Sequence, residues 1–493
     1  MQRSMLLFIC LALFVSPGLK LSAQTIDGYQ TTPDLLESLS RLAPLHLRTH
    51  GQRGPQAPLI AVDPSKTYQQ IDGFGASLTD AAAWLFAKKL PPDVTNSAFQ
   101  LLFNRKDGIG LTFLRQPIGS SDLAATFYSY DDLCKQSTTA CTTPAGTADP
   151  DLTHFSLAHD QEYILPLLRK ALAVNPDIKI MLTPWSPPGW MKTNGSMLGT
   201  DPATKQPATL RPEFYNAFAN YLVKTIQGYQ AAGVPVYALS VQNEPLYPAP
   251  TYSGMSMPAA QQAAFLGDAL APAMAAAHLN TKVLVYDHNW DHPEYPATVL
   301  SDAKAGALAA GTAWHNYAGD PAAMTAFHEK FPSKDEWETE ASGGTWQKGS
   351  IITQEAAELI AVMRNWSRSY VLWAIATDQD HGPHVGGCGT CRGVITLDIS
   401  DPDFPRIHRE PDYYVLGQAS AFVLPGAVRI ASTEPDGTSL KDVAFRNPDG
   451  EIVLYTLNTG TVSQVFRIGF EDKTTTTILP AGSIATFIWK PRP

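Results

Sequence analysis

Between about residue 71 and residue 414, short apolar runs alternate with longer amphipathic stretches, and this alternation limits the fold more than any other feature of the 493-residue chain. The apolar runs read as strands over residues 71–76, 111–115, 178–185, 236–242, 283–287, 312–317, 336–340 and 370–375. Helical spacing fills several of the gaps, most clearly over 160–173, 213–230 and the alanine-rich 259–277. Pro212 suits a first helical turn, where its missing N–H leaves no bond unmade. Strands and helices in alternation mean parallel strands joined by crossover helices. Eight such units close a (β/α)₈ barrel. The expected fold class is therefore α/β, a (β/α)₈ TIM barrel over residues 71–428 with an adjoining β-sandwich side domain.

The side domain is read from a change of texture after about residue 430. Residues 443–446, 452–457, 465–468 and 484–489 look like short strands, and Asn447-Pro448-Asp449-Gly450 has hairpin chemistry. These assign residues 429–493 to a C-terminal β-sandwich. Residues 24–70 read as an arm whose strand near 59–62 joins the same sandwich.

The first 23 residues read as a targeting signal rather than as fold. Arg3 precedes an almost unbroken apolar run from Met5 to Val15, and Leu21-Ser22-Ala23 offers a cut before Gln24. The run is too short to span a bilayer, so no stable membrane anchor is expected and the mature chain is placed as secreted or periplasmic. Four cysteines then remain, Cys134, Cys141, Cys388 and Cys391; an even number in an exported chain predicts two disulfides, with sequence proximity favouring 134 with 141 and 388 with 391. The formal charge of −10 becomes −12 without Arg3 and Lys20, which argues against a nucleic-acid partner.

Two strings carry the chemistry. Val241-Gln242-Asn243-Glu244-Pro245 and Trp337-Glu338-Thr339-Glu340-Ala341 each leave a glutamate where a strand-like run gives way to a loop. Side chains at the C-terminal ends of barrel strands face the active site. Two carboxylates so placed, one protonated and one ionised, suffice to break a glycosidic bond. Glu244 suits the acid if its surroundings raise its pKa, and Asn243 beside it can bond a sugar hydroxyl. Glu340 suits the nucleophile. Glu338 is its rival, since alternation puts the two on one strand face; position nearest the strand end favours Glu340.

Further strings accompany these two: Gly73-Phe74-Gly75-Ala76-Ser77-Leu78-Thr79-Asp80, Leu114-Arg115-Gln116-Pro117-Ile118-Gly119, and Pro184-Trp185-Ser186-Pro187-Pro188-Gly189-Trp190-Met191-Lys192-Thr193-Asn194. Five motifs in this order resemble glycoside hydrolase family 30, and most of all its glucosylceramidase-type branch. The resemblance runs from about Ile71 to the C-terminus. It implies a retaining mechanism with Glu244 as acid/base and Glu340 as nucleophile. It implies that Asp80 and Trp185 line the terminal-sugar pocket, that Asn243 precedes the acid/base, and that His315 and Tyr317 stand near the nucleophile. It also implies that Trp373 is an aromatic sugar platform and Arg115 part of the active-site network. Sugar C–H faces are apolar, so stacking on Trp185 and Trp373 is physically apt. Asp80 or Thr79 could instead cap a helix beginning at Ala81.

The segment His381 to Cys391 holds two histidines and two cysteines at close spacing, as a zinc site would. Export favours oxidised cysteines and a disulfide-pinned loop over the active site. No cofactor and no catalytic metal are expected. The expected function is an exported retaining β-glycoside hydrolase acting on β-glucosides of the glucosylceramide or β-1,6-glucan type, as a monomer or homodimer. The alternatives are a xylan-cleaving hydrolase of the same family and a non-catalytic carbohydrate-binding protein.

Overall fold

The computed structural model describes residues 24–49 and 57–491. The expected signal, residues 1–23, lies outside the described residues. Eight parallel strands form the central sheet: β1 (Gly73–Ser77), β2 (Phe113–Ile118), β3 (Lys179–Pro184), β4 (Ala238–Ser240), β5 (Lys282–Asn289), β6 (Ala309–His315), β7 (Asp335–Glu340) and β8 (Ser369–Leu372). Each pairs with its sequence neighbour from β1 to β7, and β8 returns to pair with β1. Isolated bridges, Glu336 to Ser367 and Ala341 to Leu372, span the remaining gap, so the barrel is nearly closed.

The barrel is filled rather than hollow. Phe113, Met181, Ala238, Leu284, Ala313, Trp337 and Val371, one from each of β2 to β8, form a separate buried cluster inside it. On β1 the position is glycine for a steric reason: a Cβ on Gly75 would stand 1.6 Å from the carbonyl oxygen of Phe113. At the N-terminal mouth Asp72 accepts bonds from Arg368, Lys179, Tyr237 and the Trp337 indole. Burial alone would raise its pKa, but Arg368 and Lys179 hold it down at about 2. This buried ion cluster clamps the end opposite the strand C-termini.

The helices follow the sequence expectation with local departures. The 160–173 stretch is two helices, Ala158–Glu162 and Ile164–Val174, broken at Tyr163. The 213–230 stretch is Tyr215–Ala231, preceded by a 3₁₀ turn holding Pro212. The alanine-rich helix has a wider π turn at Leu266–Leu270 between its halves. Thr79, not Asp80, caps the helix after β1, its hydroxyl accepting from Ala82 N at 3.1 Å. A cap of this kind stabilises by about 1 kcal/mol.

The side domain is a ten-stranded sheet wrapped on itself. Its C-terminal strands, Val428–Ser432, Leu440–Arg446, Ile452–Asn458, Gln464–Phe470, Lys473–Leu479 and Ile484–Trp489, are joined by Gln24–Thr31, Ser40–Arg41, Leu45–Thr49 and Leu59–Gln70 from the N-terminal side. Asn447–Gly450 makes the expected turn, with Gly450 N bonded to Asn447 O at 2.9 Å. Lys473–Leu479 was not foreseen: its run of threonines is half exposed and has no apolar face to read. Ile452–Asn458 is buried along its whole length because it serves two cores. Ile452 and Leu454 pack into the sandwich, while Val453, Tyr455 and Leu457 join the barrel-side core.

Candidate active site

At the C-terminal ends of the strands lies a cleft of about 370 Å³ lined by Asp122, Trp185, Asn243, Glu244, Tyr247, Tyr252, Tyr317, Glu340, Ser342, Trp346, Trp373, Cys388 and Cys391. The two glutamates singled out from sequence meet here. An oxygen of Glu244, an oxygen of Glu340 and a ring nitrogen of His315 all lie within 4.8 Å of one another.

An irregularity in β7, not alternation, brings Glu340 rather than Glu338 to the cleft. Trp337 points into the barrel, and Glu336 bonds the indole of Trp314 at 2.9 Å on the other side. Glu338 follows Glu336 outward and is wholly buried, with neither carboxylate oxygen hydrogen-bonded. Burial first, and the nearby charge of Glu358 second, raise it well above the usual carboxylate range. The register of β7 against β6 shifts between Glu338 and Glu340, and the strand ends with Glu340 turned to the cleft. The expectation that Glu338 and Glu340 share a face therefore fails at this irregularity.

Glu340 is held by two donors. Arg115 Nη1 bonds its Oε2, and Tyr317 Oη donates to Oε1 at 2.8 Å. Arg115 on β2 is fully buried, and its Nη2 also donates to Asn243 Oδ1 and Asp287 Oδ2, both at 2.8 Å. Burial disfavours its charge, but Asp287 and Glu340 outweigh that and raise its pKa. Its guanidinium lies 4.7 Å from the ring of Trp185, which stacks on Trp373 at 4.9 Å.

Asp287, at the end of β5, was missed by sequence reasoning. It accepts from Arg115, from Thr339 Oγ1 at 2.7 Å, and meets His315 Nε2 at 3.0 Å. Burial would raise its carboxyl, but Arg115 and His315 hold it well below the usual range. Burial likewise opposes charge on His315, yet Glu340 and the bonds to Asp287 and Glu244 lift it to about 9. His315 Nδ1 then reaches Glu244 Oε1 at 3.3 Å. His288, 3.8 Å from Glu244, is pushed down to about 4 chiefly by burial.

Glu244 departs from expectation in one respect. Burial raises its carboxyl, but His315, His288 and Arg115 pull more strongly, and the net direction is downward. The contact between His315 and Glu244 thus favours the charged form of both. Glu244 also has φ 44°, and Tyr286 and Asp287 have φ 74° and 64°. Left-handed non-glycine residues cost about 1–3 kcal/mol each and persist where their surroundings over-determine them. Here the amide of Glu244 bonds Asp287 O at 3.0 Å, and that of Tyr286 bonds Gln262 Oε1 at 3.0 Å.

Asp80 does not line the cleft. It is buried between helices, accepting from Tyr163 Oη at 2.5 Å and Ala125 N at 2.8 Å and meeting His159 Nε2 at 2.8 Å. The aspartate in the cleft is Asp122, in the loop after β2, which accepts from Cys388 N at 3.3 Å. Burial and the charge of Glu340 push Asp122 up to about 7. Cys388 is joined to Cys391, and Cys134 to Cys141, so both sequence-proximal disulfides form. The 388–391 bridge lines the cleft wall, as the disulfide reading of that segment anticipated.

This arrangement sets two carboxylates against one shared imidazole, beside a pair of stacked indoles. Two family models match the chain: the glycosyl hydrolase family 30 TIM-barrel domain over residues 71–423, and the glycosyl hydrolase family 30 beta sandwich domain over residues 426–487. The chain belongs to glycoside hydrolase family 30. It is thus a glycosidase. Among its family 30 relatives, an endo-1,6-beta-D-glucanase of Neurospora crassa is 32% identical over 454 residues, 89% of each chain. The mouse lysosomal acid glucosylceramidase is 28% identical over 461 residues, 88% of this chain and 83% of its own. A solved structure described as an endo-beta1,6-glucanase superposes with TM-score 0.82 at 30% identity, covering 95% of this chain and 100% of that one.

Proposed function

We propose that the protein is an exported retaining β-glucosidase that cleaves β-1,6-linked glucan through a covalent glycosyl-enzyme. The observation that carries this reading is the approach of Glu244 and Glu340 to within 4.8 Å, oxygen to oxygen. Retaining enzymes hold their carboxyl groups about 5–5.5 Å apart, whereas inverting enzymes need about 6.5–9.5 Å to admit a water.

In this reading Glu340 attacks the anomeric carbon, held in place by its bonds from Arg115 and Tyr317. As its charge is consumed in the new C–O bond, His315 loses the neighbour that most favours its imidazolium. Its proton then passes through Glu244 to the departing oxygen. In the second half Glu244 takes a proton from water, which attacks the same carbon and frees Glu340. Asn243, Asp122 and the Trp185–Trp373 pair bind the sugar whose bond is broken. Tyr247 and Trp346, 47% and 49% exposed, offer apolar surface to the next sugar.

The β-1,6-glucan preference follows the relatives that carry that name. The glucosylceramidase relative keeps a glycolipid substrate as the second reading. Export is supported by the leader-like first residues and the two disulfides. Among the described residues no helix is long and apolar enough to cross a membrane. The test is a panel of β-1,6-glucan, glucosylceramide and xylan, with products identified. Release of glucose oligomers from the first alone supports the proposal; cleavage confined to either of the others refutes it.

A further inference from the structure

The loop from Gly119 to Leu157 joins β2 to the helix Ala158–Glu162 and carries Asp122 into the cleft. Connections this long without regular structure need fastening. One fastener is the Cys134–Cys141 disulfide. A second place in the loop has the chemistry of a fastener. Asp131 is wholly buried, and neither of its carboxylate oxygens has a hydrogen-bond partner. Such a group is costly to bury unpaired. An oxygen of Asp131, an oxygen of Asp149 and a ring nitrogen of His154 lie within 4.8 Å of one another.

We propose that Asp131, Asp149 and His154 form a structural site for a zinc-class divalent cation that pins this loop. The donor set argues for the ion class. Two carboxylates and one imidazole suit Zn²⁺, which takes four ligands, often including water. Calcium needs six to eight oxygens, more than these three side chains supply. The ligands are also pre-positioned. Asp149 is fixed by the amide of His154 and by Thr153 Oγ1, and His154 Nδ1 stands 2.8 Å from Asp149 Oδ2. The His154 side chain is 65% exposed, which gives the ion an entry path and a water ligand.

The site bears on the cleft as well as on the loop. The carbonyl oxygen of Asp131 accepts the indole N–H of Trp190 at 3.0 Å, so the cation would also steady the segment following Trp185.

The test uses the full chain stripped with chelator. Zinc chloride should raise the Tm of the wild-type protein by about 3–6 °C, calcium chloride should not, and one zinc per chain should survive gel filtration. His154→Ala and Asp131→Asn should lose both the Tm gain and the bound zinc while still hydrolysing a chromogenic β-glucoside. If Asp131→Asn fails to fold, His154→Ala, at an exposed position, decides alone. A wild-type Tm indifferent to zinc overturns the proposal. So does a zinc response undiminished in His154→Ala, which would place the ion elsewhere.

Discussion

His315 Nδ1 lies 3.3 Å from Oε1 of Glu244 and 3.9 Å from Oε1 of Glu340. One imidazole thus faces both carboxylates, and its own pKa is lifted to about 9 while that of Glu244 is drawn down. Groups this close titrate together, so a pH profile reports the pair rather than either member.

Replacing His315 by Gln removes the shared imidazole. Glu244 must then carry the proton on its own, against the neighbouring charge of Glu340. The alkaline limb of kcat/KM should move to lower pH, with kcat reduced on the order of 10²-fold, the scale of one acid–base contribution. A pH–rate profile with an unmoved alkaline limb would remove His315 from the proton path.

Glu340 and Glu338 separate cleanly by substitution. Glu340→Gln should cut kcat on the order of 10⁴-fold or more, as loss of a nucleophile does. Glu338→Gln should leave turnover near normal, because that carboxyl is buried away from the cleft and needs no charge. Steady-state kinetics on an aryl β-glucoside suffice, and a dead Glu338→Gln that is folded by circular dichroism contradicts the assignment.

Arg115 bonds Glu340, Asn243 and Asp287 at once. Arg115→Ala strands two buried carboxylates and should cost about 3–5 kcal/mol in denaturant unfolding. Arg115→Lys keeps the charge but not the planar fork, so it should recover stability in part and activity little. Equal recovery of both would reduce Arg115 to a point charge.

Stability should fall from mildly acidic to mildly alkaline pH. Glu355 is raised to about 8 by burial and by Asp412, and Glu358 to about 7 by burial, against an ordinary value of 4.5. The folded chain therefore binds protons that the unfolded chain releases. This stability is complete below about pH 4.5 and is lost as pH rises through 7 to 8. Asp72, held at about 2 against an ordinary 3.8, acts at the other end: its contribution is lost as pH falls through 2. Tm measured against pH should decline between 5 and 8, and Glu358→Gln should flatten the decline. A Tm that rises over that interval contradicts the linkage.

The barrel is legible in the sequence because most of its strands keep apolar runs and sit between helical periods; β7, with the sequence DEWETE, is the exception. Glu244 and Glu340 stand out because each sits where a strand-like run gives way to a loop; in the fold Glu340 ends β7, while Glu244 lies in the loop beyond β4. What it could not convey were partnerships across strands. Asp287 reads as the tail of an apolar strand, and only folding shows that it bonds Arg115 from β2 and Thr339 from β7. Asp122 follows two serines in an irregular loop, where no periodicity assigns a direction. Asp80 stands in a motif beside the barrel, yet its helix turns it toward Tyr163 and His159. Strand-end position alone favours Glu340 over Glu338 in the sequence; the register shift that separates them leaves no mark in the residues.

The central claim is that Glu340 and Glu244 work on opposite sides of one glycosidic bond with a covalent intermediate between them. Proton NMR of the first sugar released from an aryl β-glucoside tests this most directly. A retaining enzyme releases the β-anomer first, followed by slow mutarotation; initial release of the α-anomer would rule out the covalent route.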